Sequence, residues 1–406
     1  MVIVKKKNQN NEALIFAGYI VASEVFFRMT HGVPNNEFGK YSVIIFLLVG
    51  LYFSGLSKKS FIYWLFILFL IPGVFIGISA LNFEINIRKA IAFNLSGPVC
   101  LAISAIYAYQ RKVTKKEMEF LITSMILPIV SMVTYMYLYT PSNRNIFMGT
   151  ESNFETSGGF GPNQVSTIIG LGMFLVFIRL VLYTKEKRYY FINIILLAYI
   201  SYRGILTFSR GGVYTGIIMI ALSLFSMYLI SNLKGRFKIN IIFIVSIFAG
   251  ILIFIYSSIQ TGGMINKRYA GEDALGREKS SKFSGREKLV ESELVMFLDN
   301  PITGVGVGVN KQFREELTGI ESASHNEISR MLAEHGVLGV INLLILLLMP
   351  IFLFLNNRQN IFLFSFYMFW LLTINHAAMR IAAPAFIYAL SLLNFTLNEE
   401  TTLHRE

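Results

Sequence analysis

The feature that most constrains this chain is a succession of apolar runs, each roughly 16–22 residues long and closed by polar punctuation. Such a run is long enough, as a helix, to cross the hydrocarbon core of a bilayer, and so many in series exclude a soluble globular domain. Candidate spans cover 12–30, 41–57, 60–80, 90–110, 119–140, 163–183, 189–208, 212–232, 239–259, 325–355, 360–376 and 381–398. The expected fold class is therefore an all-α polytopic membrane protein of about 12 transmembrane helices. Composition agrees: of 406 residues 54% are hydrophobic and only 15% charged, against the quarter or so that is usual in soluble proteins. The basic start, Met1 to Lys7, followed by an apolar stretch from Ala13 to Phe27, imitates a signal peptide but lacks a small-x-small cleavage site, and reads as an uncleaved first helix.

The loops set the orientation. With the N-terminus inside, the short inner segments hold seventeen Lys and Arg and the short outer segments six. The bias recurs loop after loop, so both termini are expected in the cytoplasm. The same bias explains the formal charge of +12 without nucleic acid, which is not expected as a partner. The lone cysteine, Cys100, lies in an apolar run, so no intramolecular disulfide and no thiolate metal site is expected.

One connection stands apart. Residues 260–323 form a single large extracytoplasmic loop, too long to lie structureless over the bundle. The expected organisation is an N-terminal transmembrane bundle of about nine spans over 1–259, this loop over 260–323, about three C-terminal spans over 324–398, and a cytoplasmic tail over 399–406. Within the loop, Ser284-Gly285-Arg286-Glu287 reads as a capping box, and Leu289, Leu294 and Phe297 recur at helical spacing, predicting a short amphipathic helix over 285–299 at the membrane surface. Gly304, Gly306 and Gly308 predict a pliable turn after it.

Ser324-His325-Asn326-Glu327 reads as a second capping box where the loop re-enters the membrane, with Ser324 as cap, Glu327 reaching back and His325 in the first turn. A helix N-terminus favours a neutral imidazole and attracts an anion such as phosphate. Spacing alone leaves open an interfacial histidine that merely hydrogen-bonds the loop. Arg210, Arg203 and Arg286, with Arg88, Arg144 and Arg380, all fall on or near the outer side and outline a basic cavity. Each alone is equally readable as a snorkelling anchor, but a guanidinium fork suits phosphate oxygens. Glu24 with Arg28 and Arg330 with Glu334 are spaced for i, i+4 pairs and read as structural; His376 and Arg380 share that spacing near the outer end. No HExxH, carboxylate cluster, Walker loop or dinucleotide loop is present, so no metal or nucleotide cofactor is expected and the energy must come from the substrate.

Taken together, Ser209-Arg210-Gly211, Ser284-Gly285-Arg286, Asn300-Pro301-Ile302-Thr303-Gly304-Val305-Gly306, Ser324-His325-Asn326-Glu327 and Leu332-Ala333-Glu334-His335-Gly336-Val337-Leu338-Gly339 resemble the O-antigen ligase/O-antigen polymerase superfamily of bacterial lipid-linked glycan transferases. The resemblance implies a C-type glycosyltransferase-like, metal-independent fold in the bacterial inner membrane with its active site facing the periplasm. It implies a polyprenyl-diphosphate-linked glycan donor and, in the ligases, transfer with inversion to a lipid A–core acceptor. By matching motif, His325 resembles the base that activates the acceptor hydroxyl, and Arg210 and Arg286 the diphosphate clamps; Arg203 is a further candidate for the donor, and Ser324, Glu327 and Arg380 are candidates for support. The Arg-x10-Gly pattern of some polymerases is absent after Arg268, Arg277 and Arg286, which favours a ligase over an O-antigen or exopolysaccharide polymerase. A protein-glycosylating relative, a flippase or transporter of lipid-linked sugars, and a non-catalytic scaffold remain as alternatives; transporters tend to carry midplane charges and repeated halves, neither of which is evident here.

Overall fold

The computed structural model describes residues 2–82, 84–140, 149–279, 286–319, 322–376 and 379–395. The expected Ser284 cap and Arg144 lie outside them. Sixteen α-helices follow one another among the described residues. The short α1 (Val2–Lys6) leads into α2 (Glu12–Met29), α3 (Phe38–Ser54), α4 (Phe61–Ala80), α5 (Ile87–Ala108) and α6 (Lys115–Tyr139). Then come α7 (Pro162–Ile178, extended by a π-turn over Arg179–Tyr183), α8 (Lys187–Leu206), α9 (Arg210–Ile230) and α10 (Leu233–Gln260). The large loop holds α11 (Met264–Ala270), α12 (Arg286–Asp299) and α13 (Asn310–Thr318), and α14 (Glu327–Asn356), α15 (Leu363–Thr373) and α16 (Ala382–Leu390) complete the chain.

Every candidate span contains a helix, and among the described residues eight helices are long and apolar enough to cross a membrane: 58–80, 87–108, 115–139, 162–183, 187–206, 210–230, 233–260 and 327–356. The chain is an all-α polytopic membrane protein. The last two expected spans, 360–376 and 381–398, are much shorter as helices, at eleven and nine residues. Side chains intercept the backbone at their ends. The Asn360 amide donates to the Leu393 carbonyl at 2.9 Å, and the Glu24 carboxylate accepts from the Ala382 N–H at 2.7 Å. Asn394–Phe395 then pairs in parallel with Lys112–Val113, a two-residue bridge that no alternation in the sequence announced.

Local chemistry starts several helices. Thr114 and Glu117 form a reciprocal capping box at α6, Asn86 caps α5 at 3.0 Å and Asn232 caps α10 at 2.9 Å. The centre of the bundle is α7, where Val165 through Ile178 are all buried, while no residue in the apolar stretch of α10 is buried, which makes it the lipid-facing rim. Helix α7 crosses α9 at backbone contact. A Cβ on Gly212 would lie 1.9 Å from the Ser166 carbonyl oxygen, and one on Gly170 would lie 2.0 Å from that of Gly212. Small residues at a membrane helix crossing replace the missing hydrophobic drive with close van der Waals packing. As expected, Glu24 pairs with Arg28 at 2.5 Å, and Arg330 pairs with Glu334.

The loop does not stay above the bundle. α14 is broken at Gly336, whose φ of 57° and ψ of −136° leave the helical region. The glycine-rich segment after α12 enters the break: Val305 N–H donates to the Ala333 carbonyl at 2.8 Å, Gly306 N–H to the Glu334 carbonyl at 3.2 Å, and Val337 N–H to the Pro301 carbonyl at 2.8 Å. On its far side Val307 N–H donates to the Gly73 carbonyl of α4 at 2.8 Å. Gly304, Gly306 and Gly308 hold φ of 69°, 96° and 85°, so the expected turn is a buried insert that bonds both α4 and α14.

Gly212→Ala is expected to destabilise the protein by about 1–3 kcal/mol through overpacking at the α7–α9 crossing. Gly250→Ala, inside α10 where no atom beyond the helix's own backbone lies within 4 Å, should leave stability unchanged or raise it by up to about 1 kcal/mol. Thermal unfolding in detergent checks both.

Candidate active site

The start of α14 differs from the expected Ser324–Glu327 capping box. Asn326 is the cap: its side-chain oxygen accepts from Ile328 N–H at 2.8 Å and Ser329 N–H at 3.4 Å. A short amide reaches the second and third helical N–H groups as well as a hydroxyl does. Glu327 does not reach back, because the Arg330 guanidinium captures it, with Nε donating to Oε2 at 3.0 Å. Ser324 instead closes the preceding turn, its hydroxyl accepting from Asn326 N–H at 3.2 Å. His325, partly buried, therefore stands one residue before the cap rather than in the first turn.

A buried network fixes this turn to the loop helices. Glu293 of α12 is fully buried against Arg314 of α13, at 2.5 Å, and accepts from the Ser329 hydroxyl of α14 at 2.5 Å. Arg314 Nε donates to the Ser292 hydroxyl at 3.0 Å and its Nη1 to the Ser322 carbonyl. Burial pushes the Glu293 carboxyl above the usual carboxylate range, opposed by the Ser329 hydroxyl and the Arg314 charge. From the other side, Arg380 Nη2 donates to the Ser324 carbonyl at 2.9 Å, and the Arg380 carbonyl is itself held by Arg28 at 3.1 Å. Arg380 and Ser324 thus both bond the backbone of the turn that carries His325.

Arg210 opens α9 and is partly buried. Its Nη1 donates to the Arg268 carbonyl at 3.2 Å, while Arg268 Nε donates to the Phe208 carbonyl at 2.9 Å, so α11 is docked on the Arg210 turn. The Ser209 hydroxyl donates to the Asn163 side chain at 2.9 Å, which ties the same turn to the head of α7. The arginine turn and the histidine turn are held by one connection, that between α15 and α16. Its Ile374 carbonyl accepts the Glu327 N–H at 3.0 Å, its His376 ring packs so closely on Gly211 that a Cβ there would sit 3.1 Å from it, and its Arg380 grips Ser324. His376 Nε2 also lies 3.2 Å from the Thr167 hydroxyl of α7.

Two further candidates lie elsewhere in the fold, Arg203 within the bundle and Arg286 where expected, at the start of the loop helix. Arg203 is buried, and its Nη2 donates to the Met136 carbonyl at 2.9 Å and to the Thr140 hydroxyl at 2.7 Å. It caps the carbonyl end of α6, a structural use of a guanidinium. Arg286 is the first residue of α12. Sequence reasoning missed Arg268, Glu293 and Arg314, whose only signal was charge in an otherwise polar loop.

Fold and site together define a polytopic membrane protein with a polar site at one end of its bundle, where one connection holds both a histidine turn and an arginine turn. Residues 195–344 match the family model described as O-antigen ligase. The matched stretch contains Arg210, Arg286, His325 and the glycine-rich insert, and it supports the O-antigen ligase superfamily that the motifs implied. With the apolar helices it fits a bacterial membrane protein. Neither a search of curated proteins nor one of solved structures finds a match.

Arg314→Met is expected to cost about 3–5 kcal/mol, because it strands a buried carboxylate. Arg314→Met combined with Glu293→Leu should recover most of that loss, as measured by the unfolding midpoint in detergent.

Proposed function

We propose that the protein transfers a glycan from polyprenyl diphosphate to an acceptor hydroxyl, that of lipid A–core in the first instance, on the periplasmic face of the inner membrane. One observation supports the reading: the connection between α15 and α16 that packs on the Arg210 turn also bonds the turn that carries His325, so both turns are tied to one stretch of backbone. The O-antigen ligase match over the same residues supports it.

In this reaction His325 takes the proton from the acceptor hydroxyl as its oxygen attacks the anomeric carbon. Imidazole is the side chain suited to accepting a proton near neutral pH. The new C–O bond forms on the face opposite the leaving group, the bond to the diphosphate breaks, and polyprenyl diphosphate departs with the electron pair, so the anomeric centre inverts. Arg210 and Arg286 stabilise the charge that develops on the diphosphate, a role in which fixed cations in a water-poor site are most effective. Glu327 and Ser324 act indirectly, through Arg330 and through the turn that carries His325. The excess of Lys and Arg in the short segments of one side supports cytoplasmic termini and a periplasmic loop over 260–323.

In proteoliposomes given a polyprenyl-diphosphate glycan, with EDTA present, a single shifted product that requires lipid A–core is expected. His325→Ala should reduce transfer by about 10²–10⁴-fold, the range a positioned general base contributes, with insertion and folding intact. A ladder of glycan lengths formed without lipid A–core would identify a polymerase instead. Unchanged activity in His325→Ala, Arg210→Gln and Arg286→Gln would overturn the assignment of the site. A periplasm-active reporter fused after Asp299 should be active, and one fused after Lys187 inactive.

A further inference from the structure

Beside the Arg210 turn lies a second set of charges that the proposed reaction does not use. Glu151, in the segment between α6 and α7, stands at the centre of it. The Lys279 ammonium donates to its Oε1, and Arg268 Nη1 lies 3.5 Å from its Oε2. The charges of Lys279, Arg268 and Arg210 together hold the Glu151 carboxyl below the usual carboxylate range, the Lys279 hydrogen bond being the largest cause, so it is an anion throughout the neutral range. Two cations, Arg268 and Lys279, thus meet one carboxylate, and Arg210 is bonded to the Arg268 backbone beside them.

The two sides of this arrangement are built differently. The cations are anchored: Arg268 is 11% exposed with Nε on the Phe208 carbonyl, Lys279 is 20% exposed with its backbone N–H on the Gly271 carbonyl at 3.1 Å, and Arg210 is bonded to the Arg268 carbonyl. The carboxylate is 66% exposed and reaches them from the solvent side. Its own backbone is fixed beside them, since the buried Thr150 hydroxyl donates to the Glu272 carbonyl at 2.8 Å. Exposed carboxylate pairs contribute little, whereas a phosphate group offers more charge and more acceptor oxygens to the same donors.

We propose that Arg268 and Lys279 extend the Arg210 anion site, and that the Glu151 carboxylate is an internal counter-ion that occupies it until a substrate phosphate group displaces it. The proposal rests on the reading of Arg210 as a diphosphate-binding residue. In the resting protein Glu151 neutralises a cationic site that would otherwise attract any anion. On donor binding the carboxylate swings into solvent, and the three cations take up the phosphate oxygens.

The test is equilibrium binding of geranylgeranyl diphosphate to the full-length protein in detergent at constant ionic strength. Glu151→Gln should bind the probe about two- to fivefold more tightly, the size an exposed charge pair carries. Lys279→Gln and Arg268→Lys should bind it more weakly by a similar factor, with unfolding midpoints near the parent's. Lys279→Gln is the safer variant, because Arg268 also holds the Phe208 carbonyl. Affinity unchanged or weakened in Glu151→Gln, or unchanged in Lys279→Gln, overturns the proposal. If Arg210→Gln abolishes binding while all three variants match the parent, this extension alone fails. If Arg210→Gln binds as the parent does, the diphosphate reading falls and the extension with it.

Discussion

In hydrocarbon a backbone N–H or C=O has no water to turn to, so a helix broken at membrane depth must find partners within the protein. The break at Gly336 creates that demand, and the glycine-rich insert meets it by donating from Val305 and Gly306 to the carbonyls of Ala333 and Glu334. Much of the site follows from this exchange. It draws the loop between α4 and α14, sets α12 and α13 against the head of α14, and brings Glu293 and Arg314 under the turn that carries His325. The Gly308 N–H adds a bond to the Glu334 side chain at 3.0 Å, so the insert also orients the carboxylate that Arg330 neutralises. The buried pairs Glu293–Arg314 and Arg330–Glu334 thus tie the loop, the insert and the head of α14 into one network.

Charge inside the bundle is handled by pairing. Glu24 with Arg28, Glu37 with Lys40 at 2.6 Å, and Arg330 with both Glu327 and Glu334 are all local on the helix, and all are largely buried. Several of these groups also bond backbone where helices end: Glu24 takes the first N–H of α16, and Arg28 the carbonyl of Arg380. An ion pair of this kind is weak evidence of stability, since removing the charges from water costs about as much as the pair returns. Its better-supported effect here is positional, because it fixes where irregular backbone meets regular helix.

The apolar runs announced the helices because length and apolarity are what a bilayer imposes, and all twelve candidate runs contain one. The i, i+4 pairs were legible for the same reason, as their geometry is local. What could not be read depends on partners distant in sequence. Ser324 and Asn326 are both competent caps, and only the capture of Glu327 by Arg330 makes Asn326 the one used. Helix α13 is only nine residues long and largely polar, so it does not stand out, and its Arg314 is buried against Glu293, Ser292 and Ser322, which lie elsewhere in the chain. Gly336 lay inside the expected span 325–355, and nothing in its neighbours foretold that a length of chain would fill a break there.

The brevity of α15 and α16 has a further consequence. At 1.5 Å per residue they span about 17 and 14 Å, roughly half the hydrocarbon thickness of a bilayer. The missing length is made up by the connection between them, which carries His376 and Arg380 and clasps both functional turns. The polar side chains of Asn375, His376 and Arg380 thereby lie between two helices of about half the length a full crossing needs. A long-chain lipid whose head carries the reacting group would then have no need to rise out of the membrane. On the proposed function, its tail would stay among neighbouring acyl chains while its head met the site beside these short helices.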